Sequence, residues 1–210
     1  MKLICFDMDN TLIDSDKANF IAYNNALKQL GFKIKPYSFF KKQFSKPKFE
    51  VAKAASGVNN KKILEKIIKA HKDYLHKHSI KYNELYYGVK EILRKLKKYY
   101  KIAIVSNCDH RTIVYSLKEV NLDKKYYDVL VGADDVKNSK PSPDMIIKAG
   151  RLLKIKPSYM IGDSIYDIIA GKRAGVKTIA VTSGNYNAKA LLKYKPDYLV
   201  DDLKDVEKVL

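Results

Sequence analysis

The sequence predicts a doubly wound α/β protein, a parallel sheet with helices on both faces, interrupted by an inserted all-helical domain. Three observations carry this. Short apolar runs ended by polar breaks, at residues 3–6, 102–106 and 159–161, have the length and composition of buried strands. From about residue 82 to the end, such runs alternate with helical stretches, the rhythm of strands joined by crossover helices. Residues 15–81 contain helical periodicity only. The expected organisation is therefore a core of residues 1–14 and 82–210 and a helical domain of residues 15–81.

Each element has its own signal. Residues 2–7 read as the first strand. Phe20, Tyr23, Ala26, Leu27 and Leu30 recur at helical spacing, and Gly31 is a helix stop. A second helical region covers 39–55. Ile63, Leu64, Ile67, Ile68, His71 and Leu75 mark a third. Then follow helix 88–99, strand 102–106, helix 111–120, strand 129–131, helix 143–153, strand 159–161 and helix 165–174. Strand 178–181, a short helix at 188–192, strand 198–200 and a final helix complete the chain.

Composition narrows the class. A chain of 210 residues suffices for one core with a small accessory domain. No apolar stretch is long enough to span a bilayer, and a strand directly after Met1 leaves no room for a cleavable signal. Cys5 and Cys108 cannot build a disulfide framework and read as small hydrophobes. A soluble, cytoplasmic protein is expected. The net charge is +18, but Arg occurs only at 94, 111, 151 and 173 and the Lys are spread along the chain. Nucleic-acid readers favour the Arg fork, so a solvated basic surface is expected, with a field that helps to capture anions.

The chemistry starts at Asp7 and Asp9, where the first strand ends. Open α/β sheets bind ligands at the carboxyl ends of their strands. Two carboxylates this close repel unless a cation lies between them, and Mg²⁺ suits carboxylates combined with phosphate oxygens and water. Ser106-Asn107 ends a second strand and precedes a helix, a setting for an anion. Lys140, in Lys-Pro-Ser-Pro-Asp before a helix, supplies a compact positive charge. Asp163 and Asp167, four apart after Gly162, share one helical face. His71, His76 and His78 lack the spacing of a metal site.

In order and context, these four segments resemble the signature motifs of the haloacid dehalogenase superfamily, in which Mg²⁺-dependent phosphatases predominate. The resemblance covers nearly the whole chain. It implies a Rossmann-like core with a helical cap inserted after the first motif. It makes Asp7 the nucleophile that forms an aspartyl-phosphate. Asp9 becomes the general acid and then the base, its backbone carbonyl also holding Mg²⁺. The second acid favours phosphate esters over carbon–halogen bonds. Lys140 would offset charge, Ser106, Asn107 and Thr11 would bind phosphate, and Asp163 and Asp167 would complete the Mg²⁺ site with Asp7 and Asp9. The family's cap loop often carries Gly and Arg. Here residues 44–49 offer Lys46 and Lys48 instead, the candidates for contact with the substrate's other end. The expected activity is Mg²⁺-dependent hydrolysis of a small phosphorylated metabolite, in the manner of phosphoglycolate phosphatase. A phosphomutase of the β-phosphoglucomutase type shares every motif, and a basic nucleic-acid-binding module on an inactive phosphatase fold is the alternative from another class.

Overall fold

The computed structural model describes residues 1–44 and 46–210. Its elements are β1 (Lys2–Phe6), β2 (Ile13–Asp14), α1 (Asp16–Gln29), α2 (Tyr37–Lys41), α3 (Lys48–Ser56), α4 (Lys61–Tyr74) and β3 (Glu84–Leu85). Next come α5 (Val89–Leu96), β4 (Tyr100–Val105), α6 (His110–Glu119), β5 (Val129–Val131), α7 (Asp144–Leu153) and β6 (Pro157–Gly162). The chain ends with α8 (Ile165–Arg173), β7 (Lys177–Val181), α9 (Ala188–Leu192) and β8 (Tyr198–Val200), followed by the 3₁₀ turn Leu203–Lys208. Two compact units result: Met1–Asp14 with Leu85–Leu210, and Ser15–Glu84.

The first unit is built on a six-stranded sheet in the order β5-β4-β1-β6-β7-β8. Every pairing in it is parallel. Alternate residues of β1 enter different cores, because side chains alternate across a strand. Ile4 and Phe6 pack with Val89, Ile92 and Leu93 of α5 and with Ile113 and Leu117 of α6. Leu3 and Cys5 pack with Met145, Ile146 and Ala149 of α7 and with Ala170 of α8. Burial on both faces explains why these strands read as unbroken apolar runs. The strand order reverses beside β1: the chain steps outward through β4 and β5, then crosses to β6. Ligands bind at such a switch point, outside the carboxyl ends of the strands. Register sets those ends side by side, since Phe6 pairs with both Ile104 and Ile161.

The second unit is helical. Tyr23, Leu27, Phe40, Phe44, Val51 and Ile67 form its core, and the rings of Tyr23 and Phe40 stack 5.4 Å apart. After α4 the chain continues into a π-helical turn, Leu75–Ser79. His71 is buried, its ring 3.9 Å from that of Tyr23 and its Nε2 3.1 Å from Asn19 Oδ1. This unit carries sixteen Lys against five acidic residues, a surplus of eleven out of the net +18. This third of the chain holds 16 of the 37 Lys and five of the 23 acidic residues, so enrichment in Lys and scarcity of acids both contribute to the asymmetry.

Three sequence expectations change. The helical region 39–55 is two helices, because Pro47 cannot continue a helix and instead precedes α3. Ser45, in the same stretch, lies outside the described residues. The final helix is the 3₁₀ turn Leu203–Lys208, whose buried Leu203 and Val206 fall three apart, the 3₁₀ repeat. The second unit runs on through Glu84 rather than ending at 81, since Tyr82 packs with Ala18, Ala22 and Leu75. Among the described residues, no helix is long and apolar enough to cross a membrane.

Candidate active site

The carboxyl end of β1 delivers Asp7, whose backbone N–H donates to Ile161 O at 2.8 Å. The following residues fold into a tight turn around Met8, and Asn10 takes a left-handed φ of 61°, which Asn tolerates better than most residues. The end of β4 delivers Ser106, tied to Val131 O at 3.1 Å. The end of β6 delivers Asp163, and the first turn of α8 delivers Asp167. An ideal Cβ on Gly162 would overlap the Asp167 carboxyl group, and one on Gly184 would overlap that of Asp163. Glycine at both positions leaves room for the acids.

Asp7, Asp163 and Asp167 converge: each offers an oxygen within 4.8 Å of the others, and all three are buried. Lys140, 3 % exposed, lies between two of them. Its Nζ donates to Asp7 Oδ1 at 2.5 Å, to Asp167 Oδ1 at 2.7 Å and to Val105 O at 3.0 Å. The other oxygen of Asp167 caps α8, accepting from Ser164 N at 3.1 Å and Ser164 Oγ at 2.5 Å. Lys140 is held from behind by Asn107. The Asn107 amide donates to Lys140 O at 3.0 Å, and its Oδ1 accepts from Lys140 N at 2.9 Å. The Asn107 side chain is thus occupied, and the part of the residue suited to an anion is its backbone N–H.

Thr11 hydrogen-bonds among the acids. Its fully buried hydroxyl accepts from Asp163 N at 3.0 Å and lies 3.4 Å from both Asp7 Oδ2 and Asp163 Oδ1. A hydroxyl has one proton, and here it serves the acids, so Thr11 braces them rather than presenting a donor to phosphate. Asp9 stands apart from the three-acid cluster. Its Oδ2 accepts from Ser106 Oγ at 3.1 Å and from Cys108 Sγ at 3.4 Å. Lys46 and Lys48 belong to the other unit, flanking Pro47; Lys46 donates to Gln43 Oε1 at 3.0 Å. His110 is tied to Asp135 at 2.7 Å, and Arg111 to Tyr115 OH at 2.9 Å on its own helix.

Two contributors escaped the sequence reading. Asn185 N donates to Asp163 Oδ2 at 3.1 Å, and Cys108 reaches Asp9. Cys5, by contrast, is a fully buried strand residue whose thiol is pushed up to about 12 by burial. It is the inert small hydrophobe expected.

The electrostatics call for a cation. Burial is the main cause that pushes the Asp7 carboxyl up to about 7; Lys140 opposes the shift, and Asp167 and Asp9 add to it. Burial also holds Asp163 well above the usual carboxylate range, aided by the charges of Asp7 and Asp167. Burial works against the charge on Lys140, but Asp167 and Asp7 outweigh it and raise its pKa. Once all three carboxyls ionise, one ammonium among them leaves two negative charges uncompensated. A hard, oxygen-seeking divalent ion matches that donor set, so the residues present fit Mg²⁺.

The sequence matches the profile of the haloacid dehalogenase-like hydrolase family over residues 4–181. The chain belongs to this family. Among curated relatives, a PpaX-type protein of Caldanaerobacter subterraneus is 33 % identical over 99 % of this chain and 93 % of its own length. The pyrophosphatase PpaX of Bacillus mycoides is 32 % identical over 99 % of this chain and 95 % of its own. Among solved structures, a haloacid dehalogenase-like hydrolase of Bacteroides fragilis superposes with a TM-score of 0.90 at 25 % identity, covering 98 % of this chain and 99 % of that one. The chain is accordingly a phosphoric ester hydrolase with a Rossmann-like core.

The raised carboxyls predict how metal and pH interact. With Asp7 near 7 against an ordinary 3.8, the folded, metal-free protein holds a proton that the unfolded chain has lost over that window. Its stability contribution is full at the acid end and falls as pH rises through the window. A cation replaces that proton, so the Tm increase produced by Mg²⁺ should grow between pH 5 and 8. Thermal melts in EDTA and in Mg²⁺ across this range check it; an increment independent of pH would remove the raised carboxyls from metal binding.

Proposed function

We propose that the chain hydrolyses a small phosphorylated metabolite, with Mg²⁺, through an aspartyl-phosphate on Asp7. The observation that carries this is the buried triad Asp7, Asp163 and Asp167 with Lys140 clamped between two of its members. Asp7, Asp163, Asp167 and the backbone carbonyl of Asp9 would hold the ion. Bound there, Mg²⁺ would offset carboxylate charge and polarise the phosphoryl oxygens.

The residues divide the work as follows. A carboxylate oxygen of Asp7 attacks phosphorus, and the bond to the leaving oxygen breaks as Asp9 protonates that oxygen. Lys140 steadies Asp7 and balances the charge that spreads over the phosphoryl group. The Asn107 N–H, at the strand end before α6, binds a phosphoryl oxygen, while the Ser106 hydroxyl beside it donates its proton to Asp9. In the second half, Asp9 takes a proton from water, the water oxygen bonds to phosphorus, and Asp7 is released with inorganic phosphate. Pyrophosphate, named by the PpaX relatives, is the first compound to try, followed by phosphoglycolate and hexose phosphates. A phosphomutase would instead return the phosphoryl group to a sugar. The two thiols, not joined in a disulfide, suit work in the cytoplasm.

Phosphate release from this panel is the test. Turnover should disappear in EDTA and return with Mg²⁺ but poorly with Ca²⁺, which prefers looser and higher coordination. Full turnover after rigorous chelation would contradict the metal assignment, and isomerisation of a sugar phosphate without phosphate release would favour the mutase.

The helical unit is proposed as a cap that selects the substrate. Its insertion directly after the Asp7 turn and its large surplus of Lys over acids support capture of an anion. Lys46→Ala with Lys48→Ala should lower kcat/KM on the natural substrate about tenfold, or about 1.4 kcal/mol of transition-state binding. A small aryl phosphate should be nearly unaffected. Equal losses on both would place the lysines in folding or chemistry instead.

A further inference from the structure

Asp9 is held by a residue that neither the sequence motifs nor the family resemblance assigns. The Cys108 N–H donates to Ser106 Oγ at 3.0 Å. Having accepted there, the Ser106 hydroxyl directs its own proton to Asp9 Oδ2, 3.1 Å away. The Cys108 thiol lies 3.4 Å from the same oxygen, a normal separation for a sulfur donor. One residue therefore acts on Asp9 twice, directly through its thiol and indirectly by orienting Ser106. Both donors converge on Oδ2, whose two lone pairs they fill.

We propose that Cys108 is a positioning residue for the general acid, fixing the orientation of the Asp9 carboxyl that exchanges a proton with the leaving group. This rests on the assignment of Asp9 as acid and base made above. The thiol does not react. It limits rotation of the Asp9 side chain, and rotation would carry the proton away from the departing oxygen. Cys108→Ala keeps the backbone donor and removes only the thiol. Cys108→Ser restores an O–H donor on a slightly shorter side chain.

The dependence on leaving group separates positioning from folding. Protonation matters little when p-nitrophenolate departs and much when an alkoxide departs. The probes are p-nitrophenyl, phenyl and ethyl phosphate, read as kcat/KM with saturating Mg²⁺, which reports the step that breaks the ester bond. Asp9→Asn should lose about 10²–10⁴-fold on ethyl phosphate and far less on the nitrophenyl ester. Cys108→Ala should show the same slope in milder form, about tenfold on ethyl phosphate and under about threefold on the nitrophenyl ester. Cys108→Ser should recover most of the loss. A uniform loss on all three esters, with a lowered Tm, would mean that Cys108 only supports the fold. No change in Cys108→Ala while Asp9→Asn shows the slope would overturn the positioning role alone. No slope in Asp9→Asn would overturn the acid assignment beneath it.

Discussion

Asp7→Asn should abolish turnover, by about 10⁴-fold or more, the scale expected when a covalent nucleophile is removed. The fold should survive. In metal-free protein at neutral pH, burial already disfavours ionised Asp7, whose carboxyl sits at about 7. An amide there relieves one buried negative charge while keeping the shape of the side chain. Melting in EDTA at pH 8 should therefore show the variant no less stable than wild type. It should also bind Mg²⁺ more weakly, having lost one of three converging carboxylates. Turnover near the wild-type level would remove Asp7 from the chemistry.

The second large effect belongs to Lys140. Replacing it by Met keeps an unbranched chain of similar length but removes the charge that contacts Asp7, Asp167 and the Val105 carbonyl. Breaking a buried ion pair from one side costs about 3–5 kcal/mol, because the remaining charge is left uncompensated. The loss should be largest in EDTA and at high pH, where the carboxyls must ionise. It should shrink at low pH, where they take up protons, and in Mg²⁺, which supplies charge from outside. Activity should fall with Mg²⁺ present, since Lys140 also steadies the nucleophile. Thermal melts in a grid of pH and Mg²⁺ read these dependences. A destabilisation equal under all conditions would point to lost packing rather than lost charge.

What was legible in the sequence follows from what repeats locally. Strands β1, β4 and β6 are covered on both faces, so they appear as apolar runs, and the polar residue that ends each run is a site residue: Asp7, Ser106 and Asp163. Asp167 was legible because one helical turn links it to Asp163. Lys140 was not legible by composition, being one Lys among dozens. It was found through its resemblance to a family motif, and the structure places its ammonium 2.5 Å from Asp7. Of the contributors that escaped, Cys108 lies two residues after Ser106, where a small hydrophobe was expected; the other depends on the chain returning to the site. Asn185 and Gly184 follow β7, a strand whose proximity to Asp163 arises only once the sheet is assembled. Thr11 reads from the sequence as a neighbour of the first acids; that it also meets Asp163, 152 residues away, emerges only in the fold. In the helical unit, residues 39–55 read as a helical region; the structure divides it into α2 and α3, with Pro47 directly before α3.

The central claim is covalent catalysis by Asp7, and trapping the intermediate tests it most directly. The protein with Mg²⁺ is mixed with a ³²P-labelled substrate found in the phosphate-release panel, quenched in acid within a single turnover, and the label is mapped to a peptide. An acyl phosphate survives acid and is cleaved by hydroxylamine. The account predicts transient, hydroxylamine-sensitive label on the peptide that contains Asp7, chased away by unlabelled substrate and absent in Asp7→Asn. Label on another residue, or complete single-turnover hydrolysis with no phosphoenzyme at any time, would contradict it.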